Sequence, residues 1–117
     1  MARVDLEDEN LDEATSLVAV SGELDGTTTS ELRRRIDAAL AGGRTKIVVD
    51  LSGLTHMDSS GLAELISCHQ RAQGLQGGLA LVVPSTAVRR TLEIRGVNHL
   101  FTVVDSRADA LAALNRD

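Results

Sequence analysis

The segment 46–73 constrains the fold of this chain more strongly than any other part of the sequence. It begins with the run 47–51, which is mostly apolar and β-branched and is therefore typical of a strand buried on both faces. We expect a loop through His56 and Met57 next. The tetrapeptide Asp-Ser-Ser-Gly at 58–61 then precedes apolar residues at helical spacing, so the sequence predicts a serine at the junction of a strand and a helix.

A helix N-terminus is chemically suited to a serine that will carry a phosphate. The first amide groups of a helix have no partner within the helix, and the helix dipole places partial positive charge there. Both features favour an anion at this position. Ser59 is therefore a candidate for modification, and Asp58 is a candidate cap of the helix.

The sequence before this segment predicts two strands. Val4 and Leu6 alternate with polar residues and indicate a first strand, and the acidic stretch 7–13 is interpreted as an exposed hairpin connection. The run 15–21 indicates a second, more buried strand, which the glycine-containing segment 22–26 is expected to break.

A first helix should follow from residue 28. Thr28 and Glu31 have the form of a capping box, and the glycines at 42 and 43 stop the apolar pattern. The residues expected on its buried face are Leu32, Ile36 and Leu40.

The remaining sequence continues to alternate helices and strands. Gly74 ends the helix that starts at Ser59, and strands are predicted at 79–83 and 101–104. Ser85 would cap a third helix that Gly96 closes, and Asp105 or Ser106 starts a fourth. The inward-facing residues expected in these last two helices are Val88, Leu92, Ala108, Leu111 and Leu114.

This alternation predicts an α/β fold with a mostly parallel mixed sheet of four to five strands, about four helices and an antiparallel first strand. Parallel strands that end near Ser21, Leu51 and Val83 would open their following loops at the same edge. Open α/β sheets bind their ligands beyond the carboxyl ends of the strands. The side chains expected to converge there are those of Glu23, Asp25, Asp58, Ser59 and Ser85.

Composition argues against nucleic acid as a direct partner. Phe101 is the only aromatic residue in the 117-residue chain, so the core must be aliphatic and no platform for stacking bases exists. The formal net charge of −5 disfavours binding to duplex phosphates. The basic run 33–35 would spread around a helix and is interpreted as solvated.

Cysteine and histidine usage predicts neither a disulfide nor a metal site. Cys68 is the single cysteine and is expected to pack as a small hydrophobe, whereas His69 and His99 have no partner at metal-ligand spacing. The longest apolar run, 79–83, is too short to span a bilayer, and residues 1–10 lack the apolar core of a secretion signal. We therefore expect a soluble cytoplasmic protein without a membrane partner.

The sequence resembles the STAS domain family, in particular the bacterial anti-sigma factor antagonists. The resemblance lies in Val-Asp-Leu-Ser-Gly-Leu at 49–54, Met-Asp-Ser-Ser-Gly-Leu at 57–62 and Gly-Glu-Leu-Asp at 22–25, and it covers about residues 4–114 as a single domain. It implies that Ser59 is phosphorylated. It also implies that the unmodified protein binds an anti-sigma factor with serine kinase activity and releases a sigma factor, and that a serine phosphatase reverses the modification.

The partner-binding residues that this resemblance and the predicted edge suggest are Glu23, Asp25, Asp58, Ser59, Ser60, Gly61 and Ser85. Two alternatives stay open within this set. Ser60 could be modified instead of its neighbour, and Asp58 could orient the serine for a kinase as well as cap the helix. No cofactor is predicted, and the sequence does not indicate an oligomeric state.

Three other functions compete with this interpretation. A serine hydrolase would use Ser59 with His56 and Asp58, but a nucleophile elbow needs glycine where Met57 stands, and triad members are usually brought together from separate segments. Nucleotide binding lacks both common glycine-rich fingerprints. A STAS module that acts only as a scaffold, or one that belongs to a transporter, is the alternative within the family.

Overall fold

The computed structural model describes residues 3–83, 86–94, 96 and 100–115. Its elements in chain order are β1 (Val4–Asn10), β2 (Thr15–Leu24), α1 (Thr29–Ala41), β3 (Lys46–Met57), α2 (Ser59–Gly74), β4 (Gly78–Val82), α3 (Thr86–Ile94), β5 (Thr102–Val104) and α4 (Arg107–Leu114). The strands form one sheet in the order β1-β2-β3-β4-β5. β1 is antiparallel to β2 and the other pairs are parallel, which confirms the predicted α/β fold.

The sheet separates two clusters of buried apolar side chains. Neighbouring residues of one strand point to opposite faces, so that Val18 and Val49 join the larger cluster while Leu17 and Val48 join the smaller one. Helices α1, α2 and α3 contribute to the larger cluster, and Ala110 of α4 belongs to the smaller one. The central strand is therefore buried on both faces, as its sequence predicts.

β2 and β3 both extend further than the sequence suggested. The predicted break at 22–26 and the predicted loop through His56 and Met57 are wrong, because the two strands stay paired as far as Leu24 and Met57, with register shifts on either side of Gly22. Gly22 has a φ of 93°, and a Cβ atom there would lie 2.3 Å from the carbonyl oxygen of Arg3. Burial of Leu24 and Met57 accounts for the additional pairing.

β3 consequently projects beyond its other neighbour. β4 pairs with β3 only as far as Val82 and Asp50, seven residues before the end of β3 at Met57. The projecting part of β3 is therefore flanked by β2 on one side and is free of β4 on the other.

The acidic stretch near the N-terminus belongs mainly to a strand and not to a hairpin connection. Residues 7–10 pair with residues 16–19, so the connection is limited to 11–14 and the prediction for 7–13 is corrected. β1 borders the sheet, and Asp8 forms an ion pair of 2.6 Å with Arg35 of α1. A border strand needs burial on one face only, which Val4 and the half-buried Leu6 provide.

Most predicted helix positions are confirmed. Leu32 and Ile36 are buried in α1, Leu40 packs partly against the larger cluster, and Gly43 follows the helix with a φ of 86°. In α3, Val88 and Leu92 are buried, and Gly96 follows this helix with a φ of 70°.

The inward face of α4 differs from the prediction. Ala108 is exposed, whereas Ala110 is buried and Leu111 and Leu114 pack partly against the smaller cluster. The helix starts at Arg107, whose Nε donates to Asp50 at 2.6 Å, and this contact turns the row 107, 110, 111 and 114 toward the sheet. Ser106 caps the helix, since its Oγ accepts the Asp109 amide at 3.1 Å.

Cys68 and His69 of α2 lie on the side of the helix that packs against the rest of the domain. Cys68 is fully buried, and burial raises the pKa of its thiol to about 12, which keeps it in the unreactive protonated form. Burial lowers the pKa of His69, whose Nδ1 accepts the Leu79 amide at 3.1 Å. His69 is thus a satisfied, partly buried histidine, as expected, while His99 lies outside the described residues.

Candidate functional site

The ends of β2 and β3 meet the starts of α1 and α2 at one edge of the sheet. We call this region, residues 22–28 and 52–61, the C-terminal edge. The Asp58 amide donates to the carbonyl of Leu24 at 3.2 Å, and a Cβ atom built on Gly26 would lie 3.5 Å from Ser60 Oγ. The turn after β2 therefore contacts the first residues of α2.

Asp58 caps α2. It has an extended backbone, with φ −102° and ψ −172°, and its Oδ1 accepts the Gly61 amide at 3.0 Å. This geometry satisfies one of the unpaired amides of the first helical turn. The cap interpretation of Asp58 is confirmed, and its carboxylate is directed at the helix and not at His56, as a catalytic relay would need.

Removing this cap should have a measurable effect on stability. Replacement of Asp58 by alanine is expected to lower the free energy of unfolding by about 1 kcal/mol, because the Gly61 amide loses its acceptor. Asp58→Asn keeps a side-chain oxygen at the same position and should cost only a few tenths of a kcal/mol. Urea unfolding of both variants measures the difference, and equal destabilisation by alanine and asparagine would contradict the cap.

Ser59 and Ser60 are the exposed residues of this helix start. Ser59 is the first residue of α2, and both side chains are exposed to solvent. Within the part of the chain that the structure describes, neither hydroxyl has a hydrogen-bond partner. Both hydroxyls are therefore available to another molecule at the positive end of the helix dipole.

Gly61 lies beneath this surface. It is buried, and a Cβ atom there would lie 2.4 Å from the Leu24 carbonyl oxygen and 3.0 Å from Met57 Cγ. Glycine is therefore required for α2 to approach the end of β2 so closely. Its predicted part in partner binding stays a prediction, but its position explains why the motif needs glycine two residues after Ser59.

Hydroxyl groups hold the acidic turn that follows β2. The amide and Oγ1 of Thr27 donate to Asp25 Oδ1 at 2.8 and 2.7 Å, and these bonds lower the pKa of Asp25. Thr28 Oγ1 donates to the Glu23 carbonyl at 2.9 Å and accepts the Asp25 amide at 3.0 Å. The predicted capping box is wrong, because the Thr28 side chain turns back to the turn and makes no cap bond to the helix.

Three side chains contribute more to this edge than the sequence pattern indicates. Thr27 and Thr28 shape the turn, and the run of three threonines at 27–29 after a glycine was the available signal. His56 is exposed, pairs across the strands with Glu23, and helps to lower the pKa of Asp25 through its charge. No local pattern indicates that contact.

The C-terminal edge brings together Glu23, Asp25, Asp58, Ser59 and Ser60, all of which are exposed or partly exposed. Ser85 lies outside the described residues.

The described residues contain no group of three or more histidine, cysteine, aspartate or glutamate side chains that could hold a metal ion. None of the helices in this part of the chain combines the length and apolar character needed to cross a bilayer.

Comparison with known proteins identifies the family. The family model described as "Mlab, STAS domain" matches residues 8–105. The anti-sigma F factor antagonist of Paenibacillus polymyxa is 30% identical over 99 residues, covering 84% of this chain and 85% of the relative. The protein of the same name from Lysinibacillus sphaericus is 31% identical over 84 residues, or 71% of this chain and 72% of the relative.

A solved structure agrees with these relatives. The crystal structure of an anti-sigma factor antagonist from Mycobacterium paratuberculosis has a TM-score of 0.85 and 28% identity, and the match covers 97% of this chain and 96% of that one. Together with the match to the family model over most of its length, this similarity shows that the chain belongs to the STAS domain family.

Proposed function

We propose that this chain is an anti-sigma factor antagonist that is switched by phosphorylation of Ser59. In its unmodified form it binds an anti-sigma factor that has serine kinase activity, and the anti-sigma factor then releases its sigma factor. The observation that carries this proposal is the Ser59 hydroxyl, which is exposed and has no partner among the described residues, at a capped helix N-terminus in contact with an acidic turn. The similarity to antagonists from several bacteria supports it.

The charge of the C-terminal edge suggests which side chains of the partner bind there. Glu23 and Asp25 are partly exposed, and hydrogen bonds from Thr27 lower the pKa of Asp25, so that its carboxylate stays ionised at neutral pH. An arginine or lysine of the anti-sigma factor would pair with this acidic turn. Such a contact would also place the partner directly over Ser59 and Ser60.

A phosphate on Ser59 should leave the fold of the domain intact. The amides of the first helical turn and the positive end of the helix dipole favour an anion at this position. The hydroxyl is exposed, so no buried contact has to open for the phosphate to be accommodated. The effect of phosphorylation is therefore exerted on the partner and not on the packing of α2, and a serine phosphatase would restore the binding form.

Phosphorylation mapping tests this proposal. The protein is incubated with candidate anti-sigma kinases and Mg-ATP, and the modified residue is located by mass spectrometry. Ser59→Ala is expected to abolish incorporation of phosphate, whereas the matched variant Ser60→Ala should be modified as the wild type is. Both substitutions should leave the fold unchanged, because neither hydroxyl has a partner among the described residues.

Three results would count against phosphorylation of Ser59 as the switch. Phosphate on Ser60 in the wild type would move the site by one residue. Absence of phosphate from residues 58–61 with every cognate kinase would favour a STAS module that acts only as a scaffold, and hydrolysis of a simple ester that depends on Ser59 would favour an enzyme.

A further inference from the structure

Arg89 joins α3 to the ends of two strands. Its Nη2 donates to the carbonyl oxygens of Val83 at 3.0 Å and Val104 at 3.3 Å, and to Asp105 Oδ1 at 2.7 Å. Val83 directly follows β4 and Val104 ends β5. One guanidinium nitrogen therefore fixes the helix relative to the carboxyl ends of both strands, through hydrogen bonds that its charge strengthens.

The helix that Arg89 holds also borders the C-terminal edge. α3 packs against β3, whose last residues project beyond β4. Beside this contact, a cleft of about 240 Å³ lies between the two elements. Its lining residues are Thr55, His56, Met57, Val88 and Thr91.

The position of this cleft connects α3 with the candidate phosphorylation site. Met57 is followed directly by Asp58 and Ser59, so the β3 wall of the cleft leads into the start of α2. The opposite wall belongs to α3, so its position depends on the position of that helix. A partner that covers Ser59 would meet the rim of this cleft next to it.

We propose that Arg89 is a positioning residue for partner binding. It holds α3 against the projecting end of β3, and in this way it maintains the contour of the surface beside Ser59 that the anti-sigma factor contacts. This inference rests on the proposed function. Loss of the guanidinium would free α3 to shift, and small displacements of a shaped binding surface are costly for recognition.

The test replaces two neighbouring arginines of α3 in turn and measures kcat and KM for phosphorylation of each variant by the partner kinase. Arg89→Met keeps the aliphatic length of the side chain but removes its donors. Arg90→Met is the matched control, since Arg90 is exposed and makes no ion pair or hydrogen bond to the described residues. Arg89→Met is expected to raise KM about tenfold at unchanged kcat, because the shifted surface weakens binding while Ser59 itself and the start of α2 are unaltered. Arg90→Met should change neither constant.

A conservative variant separates positioning from general stability. Arg89→Lys retains the charge and can reach some of the acceptors, so its KM should lie between those of the wild type and Arg89→Met. Urea unfolding is measured in parallel. If Arg89→Met lowers the unfolding free energy but leaves KM unchanged, or lowers kcat alone, Arg89 is only a structural residue and the inference is overturned.

A second variant decides the question if Arg89→Met does not fold. The Asp105 side chain is 76% exposed, and Asp105→Ala removes one acceptor without disturbing the core. It should raise KM about threefold, and an unchanged KM would reject the inference. A wild-type protein that is not phosphorylated on Ser59 would instead reject the proposed function, so the two failures are distinguishable.

Discussion

Phosphorylation of Ser59 is expected to weaken binding of the anti-sigma factor by a few hundredfold. Phosphate adds about −1.5 to −2 charges at neutral pH. It would lie next to the acidic turn that follows β2, where the carboxylate of Asp25 is ionised. In the free protein water screens this repulsion. A bound partner displaces that water, so repulsion and the loss of phosphate hydration both oppose the complex, at a total of about 3 to 4 kcal/mol, which corresponds to a few hundredfold in Kd.

Titration calorimetry with the unmodified and the phosphorylated protein measures this change. Ser59→Asp adds a single charge and should have a smaller effect in the same direction, whereas Ser59→Ala should bind as the wild type does. Gln70→Glu is the matched control, because it adds the same charge at an exposed position elsewhere on α2 and should not alter the affinity. Equal affinity of the phosphorylated and unmodified proteins would contradict the switch.

Replacement of Gly61 by alanine is expected to lower the free energy of unfolding by about 2 to 3 kcal/mol. Alanine is the better helix former by about 1 kcal/mol, but its Cβ would lie 2.4 Å from the Leu24 carbonyl oxygen. That oxygen accepts the Asp58 amide and belongs to the backbone, so the contact can be relieved only by moving β2 away from α2. The same movement would displace the acidic turn that contains Asp25, so the affinity for the anti-sigma factor should fall together with stability.

The same substitution at the other end of α2 provides the control. A Cβ atom on Gly74 would meet nothing within 4 Å. Gly74→Ala should therefore leave stability unchanged or raise it by up to about 1 kcal/mol. Urea unfolding of the two variants distinguishes the close approach at Gly61 from a general effect of glycine in this helix, and similar stability of both variants would refute it.

Local chemistry is the part of this fold that the sequence predicts well. The cap at Asp58, the ends of α1 and α2 and the double burial of residues 47–51 all depend on neighbours close in the chain. These features follow from side-chain oxygen chemistry, glycine positions and apolar runs, which any reader of the sequence can see.

The errors arise where a distant segment decides the outcome. Gly22 and Glu23 read as a break, yet β3 offers a pairing partner that keeps them in a strand. The side chains of Arg107 and Asp50 are 57 positions apart, and their contact sets the inward face of α4. Thr28 has a hydroxyl suited to capping α1, but this hydroxyl donates to the carbonyl of Glu23 and does not cap the helix. No local pattern reports these contacts.

The acidic character of β1 has a consequence for how copies of this protein behave together. A strand at the border of a sheet exposes main-chain groups that could recruit another strand and so seed fibre growth. Here four of the seven residues of that strand are aspartate or glutamate. Two such borders brought side by side would crowd like charges at the spacing of paired strands, so pairing of β1 with the β1 strand of a second copy is disfavoured.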